Sequence, residues 1–600
     1  MKQKRPSRKR RSTDRVGSTG RTIALAAIVA AFVAMAVAAF HIRSSRKTAA
    51  TKTPGHPTYH RDIAPIFQAH CASCHQPGQA APFPLLGYAD ARKRARDIRE
   101  LVQSRAMPPW LPSPDDGPFV GQRSLTREQI AVITRWVDQG AVEGKPSAAA
   151  PGLPRREEWQ LGTPDLIIRL PQAYPLRADG PDLYRNFVIP IPVPSRRFVK
   201  GVELDPGNRR IVHHAFMRID NTAESARRDA LEPGAGFAGL HAPPSAQTPE
   251  GQFLSWQPGK LHTFTPRGLA WTLEPESDLV LQMHLRPSGK PEMLQPAIAF
   301  YFTDEAPTNT PFKIGFRRFD LDIPADASNH VASESYTLAA DVELLSILPH
   351  AHYLGHRLEA LATLPDGRRE PLLRIANWDF NWQGDYLLAR PRFLPRGTTI
   401  SMEWHYDNSI HNPRNPHNPP QRVRYGLQSS DEMAELWLQV LPRDTNGLAA
   451  LAAYDRPRVF RDAIAYNEYL LGQNPQDARA HSEIGKARLF LGDPAQAEHR
   501  LREAIALDPN FDEPHYFLGL KFRMENKLSE AASEFAAAVR LNPGNAKAQG
   551  NLGLVLMDQG ALDMASTYLN NALRLNPEDS IAKEVLQAVE RMRAAQRRGP

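Results

Sequence analysis

Hydrophobic positions fall into four textures along the chain. Residues 23–40 are an uncharged, largely apolar block of eighteen, about 27 Å long as a helix and enough to cross a hydrocarbon core. From 59 to 144 the apolar spacing is helical. Asp62-Ile63-Ala64-Pro65-Ile66-Phe67 leads as a helix into a cysteine pair, and residues 125–136 repeat apolar positions at threes and fours with Thr126 as the cap. From about 159 to 440, short β-branched and aromatic runs are broken by Pro, Gly and Asp, as at Phe187-Val188-Ile189, Leu279-Val280-Leu281 and Ile400-Ser401-Met402-Glu403-Trp404. These predict antiparallel strands, and about 280 residues suit two consecutive β-sandwiches better than one. Past Ala450 helical spacing returns, now with a regular recurrence.

Composition adds a direction to this layout. The chain has 600 residues, 54 of them proline, and a net charge of +9. Twelve Lys/Arg against one acid, Asp14, lie in residues 1–47, so the remainder carries about −2. A basic end without a basic patch on a folded domain gives no reason to expect nucleic-acid binding. Nine of those cations precede the apolar block and three follow it, which sets the N-terminus in the cytoplasm and the bulk outside. The alternative is a cleavable signal peptide, favoured by the small residues around Ala36-Val37-Ala38. In both cases the working domains are exported.

The two cysteines, Cys71 and Cys74, sit in Cys71-Ala72-Ser73-Cys74-His75. This spacing lets two thiols bond a haem covalently while His75 ligates its iron. Met107, in Met107-Pro108-Pro109-Trp110, is the candidate sixth ligand, with His70 or no ligand as the alternatives. Residues 59–144 thereby resemble a class I cytochrome c domain of the kind fused to exported bacterial proteins. The resemblance implies an all-α domain with one covalent haem c that moves one electron at a time.

Within the β region, His350-Ala351-His352 is an imidazole pair that one face of a strand would present together. His213 and His214 are adjacent, so they can share a metal only if the backbone bends or bulges there. His284 lies in a strand-like run and Met433 in Ser429-Ser430-Asp431-Glu432-Met433. A thioether beside imidazoles favours copper over zinc.

The order HH, LQxH, HxH followed by Leu-Gly, then SSDEM resembles the copper type II, ascorbate-dependent monooxygenases, the family of peptidylglycine- and dopamine-hydroxylating enzymes. It covers about half the chain. The resemblance implies two antiparallel, jelly-roll-like β-sandwiches and two coppers. His213, His214 and His284 would hold the electron-storing copper, and His350, His352 and Met433 the one at which O₂ reacts. The animal enzymes are rich in disulfides, whereas packing alone must hold these sandwiches. Peptide-hydroxylating members carry an arginine two residues before HxH; here that place is Leu348, so a peptide substrate is not carried over. His405 is either an extra ligand or a hydrogen-bonded strand residue.

Asn474-Pro475, Asp508-Pro509, Asn542-Pro543 and Asn576-Pro577 recur every 34 residues, as do Gly485, Gly519 and Gly553. That is the tetratricopeptide period, and it predicts an α-solenoid of three repeats from about 478, with a preceding helix over 459–471 and a capping helix over 581–593. Its groove would hold a protein or peptide, or the repeats are a packing appendage.

The expected division is a basic tail (1–22), a transmembrane helix (23–42), a linker (43–58), the cytochrome c domain (59–144), a linker (145–158), two sandwiches (159–315 and 316–445) and the solenoid (455–597). The expected function is an O₂-dependent copper monooxygenase, anchored once in a bacterial inner membrane with its main domains periplasmic. It would hydroxylate a C–H bond of an unknown organic substrate, taking electrons through the haem from ascorbate or a redox protein. The alternatives are a non-catalytic electron-transfer or copper-binding protein with a docking module, and a scaffold whose sandwiches have lost metal.

Overall fold

The computed structural model describes residues 55–598 except 73, 78–80, 147–158, 240–241, 244 and 250. The basic tail, the expected transmembrane helix and most of both linkers lie outside the described residues. Among the described residues no helix is long and apolar enough to cross a membrane.

The first unit is helical. Ala64–His70, Tyr88–Lys93, Ala95–Gln103 and Arg127–Asp138 surround a core of Ile63, Phe67, Ile98, Ile133 and Trp136. Thr126 caps the last helix in a reciprocal box with Gln129, which satisfies two amides that helix geometry leaves unpaired. The unit is closed at its ends by Tyr59 N–H donating to Val142 O over 2.9 Å.

The middle of the chain is β-rich, in two units of antiparallel sheets. In the first, a four-stranded sheet runs in the order Leu166–Arg169, Ala297–Thr303, Arg197–Asp205, Trp271–Leu273. A five-stranded sheet runs Phe237–Ala238, Leu183–Pro190, Asp278–Leu285, Val212–Asp220, Ser255–Trp256. Phe187, Met217, Leu281 and Phe300 share their common core. In the second unit, one sheet runs Phe312–Arg317, Glu435–Pro442, Val342–His350, Tyr386–Leu394, and the other His330–Thr337, Thr399–Tyr406, Gly355–Thr363, Arg369–Ile375. Ile314, Ile347, Leu358, Trp404 and Leu438 fill the space between them. The expected boundary after residue 315 is corrected: the strand Phe312–Arg317 pairs with Glu435–Pro442 and belongs to the second unit, so the division falls between residues 303 and 312. Lys313-Ile314-Gly315 gives no turn signal that would reveal this from composition.

Side chains alternate along a strand, and this alternation decides what the two β units show each other. On Val212–Asp220, Ala215, Met217 and Ile219 enter the core while His214, Phe216 and Arg218 turn away. On Phe312–Arg317, Ile314 and Phe316 enter the core while Lys313 and Arg317 turn away. The two outward faces line one cavity of about 510 Å³ between the units.

The helical unit docks on both β units. Val120 N–H donates to Leu387 O over 2.8 Å, and Trp110 meets Tyr386 edge-on at 5.5 Å. Arg374 binds Asp116 at 2.6 Å, and Arg123 donates to Gly259 O at 2.9 Å.

The C-terminal helices pair as Ala478–Phe490 with Pro494–Leu507, Asp512–Met524 with Leu528–Leu541, and Ala546–Asp558 with Leu562–Leu575, followed by Ser580–Arg598. Gly485, Gly519 and Gly553 each sit where a Cβ would press on Leu501, Phe535 or Leu569 of the paired helix, which is why the period carries a small residue there. The helix before them is longer than expected, running Thr445–Gln473 through Pro457. Its extra length is held by the second β unit: Arg458 pairs with Glu334 at 2.7 Å and Asp462 with Arg317 at 2.8 Å. The capping helix also extends past 593.

Candidate metal centre

The register of one strand pair makes the first cluster. Val212 faces Leu285 and His214 faces His284, with a bulge between, so His213 is the extra residue. The bulge shifts the alternation by one: Val212 and Ala215 are both in the core, and His213 and His214 both turn off it. His213, His214 and His284 thereby each offer a nitrogen within 4.8 Å of the others.

The tautomers follow from the partners. His284 Nε2 lies 2.7 Å from Asp182 Oδ2, which only accepts, so Nε2 carries the proton and Nδ1 the lone pair. That Nδ1 is 3.3 Å from His214 Nε2. Two nitrogens bound at about 2.0–2.1 Å to one tetrahedral ion stand about 3.3 Å apart. Asn381 lies beside His213, yet neither buried ring nitrogen of His213 makes a well-formed hydrogen bond, nor does His214 Nδ1. Burial, reinforced by the nearby His284 ring and the Arg286 guanidinium, pushes His213 down to about 3. Burial and the neighbouring imidazoles also hold His214 well below its ordinary value. Neutral, buried and under-satisfied imidazoles are what a metal ion needs and what an apolar core does not supply. The donor set fits a copper ion.

The HxH pair is placed differently from expectation. His350 ends the strand Val342–His350, and His352 lies in the turn after it, so a single strand face does not hold both. The turn still brings the rings edge-on, with centroids 5.2 Å apart. His352 Nδ1 donates to Asp431 O at 3.1 Å, and His350 Nδ1 to Gln383 Oε1 at 2.6 Å. Each leaves Nε2 with the lone pair. Burial and the neighbouring His350 ring push His352 down to about 3. His350, His352 and Met433 all line the cavity, as does His214. Phe380 links the clusters: its ring centroid is 5.1 Å from His213 and 5.5 Å from His352.

Two features of this site were not singled out from sequence. Glu432, fully buried, accepts the backbone N–H groups of His352, Leu354, Gly355 and Met433. It ties the HxH turn to the Met433 segment, and burial pushes its carboxyl up to about 8 despite those bonds. Gly355 follows because a Cβ would lie 2.9 Å from the Trp378 ring and 3.0 Å from Ala351 Cβ. The second feature is the loop 379–385, which supplies Phe380, Gln383 and Asp385. Its aromatic and amide density between two strand runs is the signal that could have marked it. His405 bonds Asn329 at 2.9 Å and Glu403 at 2.7 Å through its two nitrogens, which favours the hydrogen-bonded strand residue.

In the helical unit, Cys74 and His75 N–H both donate to Cys71 O, so one turn carries the three groups. Burial and the nearby Cys74 push the Cys71 thiol up to about 12. His75 Nδ1 donates to Phe83 O over 3.0 Å, leaving Nε2 as the ligand atom, which fits haem attachment. His70 is engaged with Arg123 O at 3.2 Å and with Gln129. Met107 lines a different cavity, about 770 Å³, with Val102, Leu125 and Ile130.

Comparison with known proteins reaches the C-terminal helices. Residues 482–546 match one family model described as Tetratricopeptide repeat and residues 522–589 a second of the same description. Among solved structures, the crystal structure of MamA is similar at 24% identity over 22% of this chain and 79% of that one, with a TM-score of 0.21. The first TPR of Spaghetti (RPAP3) bound to the HSP90 peptide SRMEEVD is similar at 22% identity over 20% and 94%, with a TM-score of 0.20. No curated protein sequence matches the chain. The C-terminal region of this chain is thus built of tetratricopeptide repeats, a class of module that commonly binds proteins or peptides.

Proposed function

We propose that the chain is an exported, membrane-anchored haem/copper oxidoreductase that hydroxylates a C–H bond with O₂. The observation that carries this reading is the shared cavity. A buried three-imidazole cluster with unpartnered nitrogens adjoins it, and His350, His352 and Met433 line it.

His213, His214 and His284 would hold one copper; His350, His352 and Met433 would hold the other; Cys71, Cys74 and His75, with Met107 as the sixth-ligand candidate, would hold one haem c. When bound, copper supplies one-electron chemistry with O₂ and haem c a further one-electron store. The balance is R–H + O₂ + two electrons + two protons giving R–OH + H₂O, with ascorbate or a redox protein as the electron donor. The chain's own groups then have defined tasks. Asp182, Gln383 and the Asp431 carbonyl hold protons on the outer imidazole nitrogens, Glu432 fixes the HxH turn, and the two sheet faces screen the site from water.

Two measurements test this. Metal analysis of pure protein should give two coppers per haem; fewer counts against it. Haem reoxidation by O₂, followed by stopped flow after anaerobic reduction, should be faster in the copper-loaded protein than in the copper-free form. Equal rates would remove the electron route. The tetratricopeptide repeats favour one second reading, an electron-transfer or copper-binding protein that docks a larger partner. Met433→Ala separates them: lost O₂-dependent product with haem retained supports the enzyme, and unchanged oxygen consumption takes Met433 out of the chemistry.

A further inference from the structure

The cavity beside His350 and His352 has two cations at its far end. Arg218 projects from one wall and Lys313 from the other. Arg218 stands four residues along its strand from His214. Lys313 pairs with Gln439, which pairs with Ser346, four residues from His350. Each offset is about 13 Å at strand rise. Register thus sets imidazoles at one end and positive charge at the other.

Among the described residues neither cation has an ion-pair partner. Arg218 Nη1 is buried with no hydrogen-bond partner, and Lys313 donates to the Thr248 hydroxyl. Of the other charged groups there, Asp385 is paired with Lys260 at 2.9 Å and Arg317 with Asp462 at 2.8 Å, while Glu435, opposite His350 in the register, accepts the Trp437 indole N–H at 3.0 Å. Burial lowers both cations, and the Arg218 charge adds to the effect at Lys313, which falls to about 8. Desolvated like charges side by side destabilise the empty cavity, and an incoming anion relieves them. Between the two ends register places Phe216, Leu348 and Trp437, apolar or aromatic surface suited to a hydrocarbon or ring.

We infer that the cavity binds an elongated organic anion, its carboxylate, sulfate or phosphate head between Arg218 and Lys313 and its apolar body reaching toward His350 and His352. The proposal rests on the functional reading above for what happens at the imidazole end, but not for binding. It also gives Leu348 a task, since a side chain in the middle of the cavity meets the body of the ligand and the charge lies elsewhere.

The test uses the full chain stripped of copper by chelation, titrated calorimetrically with octanoate, octyl sulfate, octyl phosphate and the neutral methyl octanoate. At least one anion should bind tenfold or more tightly than the ester. Arg218→Gln and Lys313→Met should each weaken that anion fivefold or more and leave the ester unchanged, so that ester binding reports an intact cavity. His350→Ala should leave anion binding in place. Equal binding of ester and all three anions, or no loss in a variant that still binds ester, overturns the proposal. Anion binding without O₂-dependent product in the copper-loaded protein would remove the hydroxylase and leave this site standing. Turnover of neutral compounds without preference for anions would do the reverse.

Discussion

Asp182 accepts the Nε2 proton of His284 across 2.7 Å. The contact decides which nitrogen of His284 faces His214, and it makes Asp182 a positioning residue for the cluster. Asp182→Asn should lower copper affinity at this site about 10- to 100-fold, the usual cost of losing such a partner, while haem content stays constant. Competition with a chelator of known affinity measures it; unchanged affinity would mean that ring packing alone, such as the Tyr184 ring stacked 4.3 Å from His284, holds the imidazole in place.

Glu432 receives four backbone donors, two on each carboxyl oxygen. Glu432→Gln places an amide NH₂ among N–H groups, and the unmade bonds in a buried site should cost about 2–4 kcal/mol. Faster amide exchange over residues 352–355, together with a lower copper content, is the expected outcome. The four protections are lost together because one side chain supplies them.

Lys313 gives a pH-dependent expectation with a definite sign. Its folded value, about 8, lies below its ordinary 10.5, so the penalty on the charged form is fully present below about pH 8 and vanishes as pH rises to 10.5. Lys313→Met should therefore stabilise the second β unit at pH 7, by at most about 3 kcal/mol. The difference between variant and parent should shrink to nothing between pH 8 and 10.5 in scanning calorimetry. A constant difference across that range would assign the effect to packing.

Gly259 has φ +79°, and a Cβ there would lie 3.4 Å from Cys74 Sγ and collide with the Arg123 guanidinium. Gly259→Ala should loosen the docked helical unit. The expected outcome is amide exchange around Arg123 and residues 257–261 faster by about tenfold, roughly 1.4 kcal/mol of local stability, with the repeat helices unaffected.

Much of this molecule can be read locally. The Thr126 cap, the 34-residue recurrence and the strand runs around Phe187 or Trp404 each depend on residues close in sequence, because a repeat packs on its neighbours and a cap on its own first turn. The candidate centre is less legible. The residue types His213, His214, His284, His350 and His352 are visible, but the bulge that turns His213 and His214 to one side depends on pairing with a strand some seventy residues on. Leu348 suggested only what the ligand is not. The charges that bear on its identity, Arg218 and Lys313, meet through two sheets that touch only after both have folded. Trp110, beside the Met107 candidate, serves as an anchor on Tyr386 for the same reason.

The helix Thr445–Gln473 belongs to two structures at once. It begins the repeat array, yet its Tyr466 stands in the cavity wall and its Tyr469 hydroxyl accepts the Leu427 N–H. The repeats can therefore be trimmed back to residue 474 without breaching that wall, whereas cutting before residue 445 takes out part of the chamber. One helix is thus both the first beam of the repeat array and a stone in the chamber wall, so the two cannot be separated as independent domains at residue 445.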